Sequence, residues 1–154
     1  MENIYCDKWS MVKQKPWKLI DVDNAYIFHT NKKPYSVIVK KDNQITNIIE
    51  LTDKYISVNF MNNFLKPYLC YVFDIKKNDN IFLKTAYYTS YDLETNNELI
   101  KMTYSFNENG YIVMEKRNNK TGEIEERELQ NDTSLNWDKF PSFGKYEYLL
   151  KEER

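Results

Sequence analysis

Residues 99–129 constrain the fold most, because their pattern predicts three antiparallel strands joined by two tight turns. Gly110 and Gly122 occupy the two expected turns, where a positive φ angle suits glycine. In the first arm apolar side chains alternate with polar ones, which is the period of a half-buried strand. The second arm, residues 111–116, is more apolar, and the third, residues 124–129, is almost entirely charged. This stretch therefore predicts an antiparallel meander.

The rest of the chain predicts further strands at the spacing of short hairpins. Strands are expected at residues 17–29 with a bend at Asp23-Asn24, at 35–40 and 44–50 around an Asp42-Asn43 turn, and at 54–60, 68–75, 81–91 and 145–150. Residues 68–75 are apolar almost throughout, so we expect both faces of that strand to be covered. Residues 2–12 are expected to form a short helix or an irregular cap.

The predicted fold class is all-β. No long helix is expected between strands, so a parallel βαβ sheet is disfavoured. We expect one domain, residues 1–154, that forms an antiparallel up-and-down barrel of about 8–10 strands with a short N-terminal helix or cap. A sandwich is the competing way to hide the sheet edges.

Composition argues against several function classes. The formal net charge is −1, so the chain as a whole has no field that attracts nucleic acid or an acidic membrane. The sequence MENIYCDKW lacks the pattern of a secretion signal, and no stretch approaches the roughly 20 apolar residues of a membrane span. Cys6 and Cys70 fit a cytoplasmic protein with reduced thiols, although a disulfide between them stays open.

No motif predicts catalysis or metal binding. His29 is the single histidine, and no spacing of His, Cys or Asp supplies it with partners. Carboxylates such as Glu125 and Asp132 form no pattern specific to acid–base chemistry. We therefore expect a protein that is not an enzyme and that uses no cofactor and no metal.

The order of elements resembles that of a known superfamily. Trp17-Lys18-Leu19 follows a short leader, and a meander and a closing strand come after it. Over most of the chain this resembles the calycins, which are the lipocalins and fatty-acid-binding proteins, and it implies a small up-and-down barrel. We expect Trp17 and Trp137, near the two ends of the chain, to pack at the base of that barrel. In size, compartment, predicted fold and acidic strand, the chain also resembles immunity proteins of contact-dependent growth inhibition systems.

The acidic third arm of the meander gives the leading functional hypothesis. It predicts a surface that docks a basic protein, such as the catalytic domain of a nuclease-type toxin, and inhibits it by covering its active site. The alternative is a solvated edge strand whose charge prevents strand pairing, partly neutralised by Lys116 and Arg117. Under the leading hypothesis the protein is a cytoplasmic immunity protein, monomeric when free, that binds no nucleic acid and no membrane. The expected partner-binding residues are Glu123, Glu125, Glu126, Glu128, Asp132 and Tyr111.

Tyrosines give the second hypothesis. Alternate tyrosines on neighbouring strands are suited to line a cavity at the barrel mouth, so the protein would carry a small hydrophobic ligand inside the barrel. Ordinary packing is the competing interpretation. A third alternative is a structural domain of a larger assembly, which would expose a large apolar patch. The expected ligand-binding residues are Tyr71, Tyr88, Tyr104, Tyr146 and Tyr148.

Overall fold

The structure is a computed structural model that describes residues 1–154 and contains thirteen β-strands, one α-helix and three short 3₁₀ segments. The helix α1 spans Val22–Thr30, and the 3₁₀ segments span Lys77–Asp79, Ser134–Asn136 and Glu147–Leu150. The strands are β1 (Glu2–Cys6), β2 (Trp9–Ser10), β3 (Lys15–Pro16), β4 (Leu19–Ile20), β5 (Tyr35–Lys41), β6 (Gln44–Leu51), β7 (Tyr55–Met61), β8 (Pro67–Ile75), β9 (Asn80–Tyr91), β10 (Glu98–Phe106), β11 (Tyr111–Asn118), β12 (Ile124–Gln130) and β13 (Trp137–Lys139).

One large antiparallel sheet contains all strands except β2 and β3, which pair with each other. Its order is β12-β11-β10-β9-β8-β7-β6-β5-β1-β4, and β13 pairs with β9. The all-β prediction is therefore confirmed. No pairing joins the two ends, β12 and β4, so the predicted closure into a barrel is not confirmed.

The predicted meander at residues 99–129 is confirmed. The strands β10, β11 and β12 pair in sequence, and their turns hold Gly110 at φ +87° and Gly122 at φ +75°. The predicted hairpin of β5 and β6 also forms, with Asp42 and Asn43 both at positive φ angles in its turn.

The C-terminal segment differs from the prediction. The expected last strand, residues 145–150, is instead the 3₁₀ segment Glu147–Leu150 preceded by a turn. Tyr146 and Leu149 are both fully buried in the core. They are three residues apart, which places them on one side of a 3₁₀ turn, whereas a strand would bury every second residue. The segment fills the core rather than supplying a closing strand.

The N-terminal predictions were wrong in two places. Residues 2–12 form β1 and β2 in place of a helix or cap, and residues 17–29 contain one two-residue strand, β4, followed by the helix α1 in place of two short strands or one bent strand. Asp21 caps the helix, because its carboxylate accepts a hydrogen bond from the Asn24 backbone N–H at 2.8 Å. This cap begins a helix at the position where the Asp23-Asn24 pair predicts a bend.

The main core of 18 buried residues covers one face of the sheet, here called the inner face, and the other face is called the outer face. A smaller cluster of five buried residues includes Trp9, at the start of the β2–β3 hairpin. The prediction that Trp17 packs at the base of a barrel was wrong, because Trp17 is 69% exposed. Trp137 is 39% exposed. Trp9, which is 6% exposed, is the buried tryptophan.

The strand β8 is covered on one face more than on the other. Leu69, Tyr71 and Phe73 are buried, whereas Cys70 and Val72 between them are half-buried. The strand is central, between β7 and β9, and no residue of it is exposed, although the face with Leu69, Tyr71 and Phe73 is the more deeply buried one. Cys6 and Cys70 are both free thiols. No helix of the structure combines the length and the apolar character that crossing a bilayer requires.

Candidate functional site

Two neighbouring surfaces are candidates for binding. The first, here called the aromatic groove, is an open cavity of about 440 Å³ on the inner face between β8 and β12. Nine of its eleven lining residues are hydrophobic. The lining includes Tyr71, Ala86, Tyr88, Met102, Tyr104, Phe106, Ile112, Leu129, Asn131 and Arg154.

The groove follows from the strand register. Tyr104 lies opposite Ala86, and Ala86 also lies opposite Tyr71 on the other side. The small alanine therefore lies between two tyrosines and leaves space above the sheet. The ring centroids of Tyr88 and Tyr104 are 6.1 Å apart in an edge-to-face arrangement, and Tyr104 stacks on Phe106 at 6.3 Å. These contacts form an aromatic wall.

The C-terminal tail closes one end of the groove. The Tyr71 hydroxyl donates a hydrogen bond to the Glu152 carbonyl at 2.5 Å, and the Tyr68 hydroxyl donates one to the Glu152 carboxylate at 2.8 Å. Arg154 forms an ion pair with Asp138 at 3.4 Å and reaches the groove lining. Burial raises the pKa of Tyr71, so its hydroxyl stays protonated and remains a donor.

Three of the five expected ligand-binding tyrosines lie together in the groove: Tyr71, Tyr88 and Tyr104. The other two lie elsewhere. Tyr146 is in the core, where its hydroxyl is 3.0 Å from that of Tyr35, and the Tyr148 hydroxyl donates to the Lys139 carbonyl.

Sequence reasoning missed other members of the lining. Met102 and Phe106 alternate with polar residues on β10 and Leu129 lies on β12, so the same period of two could have placed them beside Tyr104. Nothing in the sequence pattern places Arg154 there.

The second surface, here called the acidic edge, is the outer-face side of β11 and β12 with Tyr111, Glu115, Glu126 and Glu128. The strand β12 is exposed along its whole length and is the last strand of the sheet. Leu129 faces the groove, so alternation puts Glu126 and Glu128 on the opposite, outer face. The Glu128 carboxylate raises the pKa of Tyr111, first through hydrogen bonding with the phenol and then through its negative charge.

The pleat separates the predicted acidic residues. Glu125 lies on the groove side of β12, directly opposite Lys116. Glu123 lies in the preceding turn, where its carbonyl accepts a hydrogen bond from the Asn118 N–H. The Asp132 carboxylate accepts hydrogen bonds from the backbone and hydroxyl of Ser134, both at 2.9 Å, and these bonds lower its pKa. Of the predicted set, Tyr111, Glu126 and Glu128 share one face.

Charges on the acidic edge are poorly compensated. Glu126 lies directly opposite Glu115, and the two carboxylates repel. Arg117 pairs with Glu115 at 3.6 Å rather than with a residue of β12. None of the ion pairs in the structure involves Glu126 or Glu128. Of the expected neutralisation, Lys116 lies opposite Glu125, and Arg117 pairs with Glu115, so Glu126 and Glu128 remain without an ion pair.

His29 is half-buried. Its Nδ1 atom is 2.8 Å from the Tyr35 hydroxyl, and burial lowers its pKa, which favours the neutral imidazole. The ring also packs on Phe140 and Phe143. The structure brings no three His, Cys, Asp or Glu side chains close enough to share a metal ion.

No protein-family model matches the chain, and comparisons with curated proteins and with solved structures give no significant match. The aromatic groove and the acidic edge are therefore the observations from which its function is inferred.

Proposed function

We propose that this is a non-catalytic binding protein that neutralises a basic partner protein, most concretely a cytoplasmic immunity protein against a nuclease-type toxin. Nucleases hold phosphates with Lys and Arg side chains, so a surface of carboxylates is complementary to their active sites. Inhibition would be steric and electrostatic, with Glu126 and Glu128 facing the toxin and Tyr111 as an anchor. The aromatic groove, on the opposite face of the same edge, would accept an apolar side chain from a part of the partner that reaches around β12.

One observation carries this proposal: Glu126 and Glu128 are exposed and form no ion pair, and Glu126 lies directly opposite the like-charged Glu115. A like-charge pair directly opposite across strands costs stability. A solvated edge needs no such arrangement, since lysines or a proline would protect it equally well. Binding a cationic surface would relieve the repulsion.

The proposal includes a calycin-like architecture. One helix, α1, lies between β1 and β5, and an uninterrupted meander from β5 to β12 follows. This order supports a barrel-type arrangement in which core side chains cover the inner face while β12 remains accessible. We expect the free protein to be monomeric.

The test is co-expression with any nuclease-type toxin domain that a neighbouring gene encodes. Wild-type protein should restore growth, and Glu126→Lys combined with Glu128→Lys should lose protection. Glu123→Lys combined with Glu125→Lys changes the net charge equally but alters the turn and the groove side of β12, so it should retain protection. Equal protection by both double variants, or none by the wild type, would contradict the proposal.

A second candidate function is favoured by the aromatic groove. Its volume of about 440 Å³ lies within the range of small-molecule sites, and its lining is mainly apolar with Asn131 and Arg154 as polar groups. A carrier of a small hydrophobic ligand would retain that ligand on purification. Native mass spectrometry of protein isolated from cells should then show an added mass of one ligand, and the bare chain mass alone would exclude this function.

A further inference from the structure

We propose that the partner binds by adding an antiparallel β-strand to the free side of β12. Basic side chains of that strand would lie on the outer face, and its apolar side chains would extend the aromatic groove. This inference rests on the proposed function and specifies how the partner docks.

Backbone groups on the free side of β12 have no strand partner. β12 pairs with β11 alone. Hydrogen bonds to the β11 side flank both ends of β12. The Asn118 N–H donates to the Glu123 carbonyl at 2.9 Å, and the Asn131 N–H donates to the Gly110 carbonyl at 2.9 Å. Because hydrogen-bonding direction alternates along a strand, odd-numbered residues of this segment bond to β11 and even-numbered ones point away. Glu126 and Glu128 therefore direct both N–H and C=O outward.

The free side of β12 is also an unfinished wall of the groove. Leu129 lines the groove and is 40% exposed. A strand added beside β12 would place every second side chain next to the groove face, and an apolar side chain opposite Leu129 would cover its exposed part. The groove thus predicts an apolar residue at the position of the partner strand opposite Leu129, while Glu125 and Arg127 are the other groove-side residues of β12.

The charge of β12 selects which strand can be added. Side chains opposite Glu126 and Glu128 would lie beside two carboxylates that form no ion pair, so lysine or arginine is favoured there. A second copy of this chain paired edge to edge would bring glutamates against glutamates, which disfavours self-association. The other end of the sheet, β4, has only two residues and offers a much shorter template.

The experiment uses a nine-residue synthetic peptide that alternates lysine and valine, titrated into ¹⁵N-labelled full-length protein. Binding should slow amide hydrogen exchange at Glu126 and Glu128 and leave Glu125, which already bonds to β11, little changed. The matched peptide that alternates glutamate and valine should bind at least about tenfold more weakly. Absence of binding by the lysine peptide, or equal binding of the two peptides, would overturn the inference.

Backbone pairing is tested separately from charge. N-methylation of the lysine amides, which point toward β12 in this register, should lower affinity about tenfold or more, whereas N-methylation of the valine amides should have a smaller effect. In the protein, Glu128→Pro removes an outward N–H without breaking a ladder bond, and Glu128→Gln removes the same charge but keeps that N–H.

We expect Glu128→Pro to bind the lysine peptide several-fold more weakly than Glu128→Gln. If the proline variant unfolds, the two N-methylated peptides decide the question. Equal affinity of these two peptides would overturn strand addition yet leave electrostatic docking to the acidic edge intact. Toxin protection that persists in the Glu126→Lys, Glu128→Lys variant would instead contradict the proposed function.

Discussion

The C-terminal segment should contribute several kcal/mol to stability, although it forms no strand. Leu149 is fully buried in the main core, and truncating a buried leucine to alanine typically costs about 2–5 kcal/mol. Taking about 3 kcal/mol, and a shift of about 2–4 °C per kcal/mol for a domain of this size, Leu149→Ala should lower the melting temperature by roughly 6–12 °C.

The matched control is Leu135→Ala, because Leu135 is 80% exposed and the same atoms are removed. Its melting temperature should stay within about 2 °C of the wild type. Thermal unfolding followed by circular dichroism measures both variants. Equal melting temperatures for Leu149→Ala and the wild type would show that the segment does not fill the core, and the explanation for the absent closing strand would be wrong.

Three further predictions concern other parts of the molecule. Trp9→Ala should lower the free energy of unfolding by about 3 kcal/mol or more in urea titrations, and Trp17→Ala by less than about 1 kcal/mol, because only Trp9 is buried; similar losses would contradict this. Glu126→Thr should raise the free energy of unfolding by a few tenths of a kcal/mol, because it removes the repulsion with Glu115; a clear loss would contradict the like-charge argument. Burial lowers the pKa of His29 below 6.5 in the folded state, so as pH falls below 6.5 the unfolded chain binds more protons than the folded chain and stability decreases. His29→Gln should therefore show a smaller fall in melting temperature between pH 7 and pH 5 than the wild type. An equal fall would exclude this contribution.

The meander could be predicted from sequence because two local signals agree there. Side chains alternate along β10, and glycines occupy the turns at Gly110 and Gly122, so strand and turn preferences give the same result. The helix α1 lacks this agreement. It has nine residues, of which only Ala25 is buried, so its apolar spacing carries little helical signal.

The candidate site was predicted only in part. Tyr71, Tyr88 and Tyr104 meet because neighbouring strands place alternate residues on one face, which sequence can anticipate. Tyr146 could not be assigned in this way, because a 3₁₀ turn buries residues three apart. The division of the glutamates between two faces follows from the pleat, but it requires the position of Leu129 in the groove to show which face is which.

The proposed function requires that the outer face of β12 bind a basic protein. The most direct measurement is the dissociation constant between this protein and any nuclease-type toxin domain that a neighbouring gene encodes, determined by isothermal titration calorimetry. The Glu126→Lys, Glu128→Lys double variant should bind at least about tenfold more weakly than the wild type, and the charge-matched Glu123→Lys, Glu125→Lys variant within about threefold of it. Equal weakening in both double variants, or none in either, would contradict the claim.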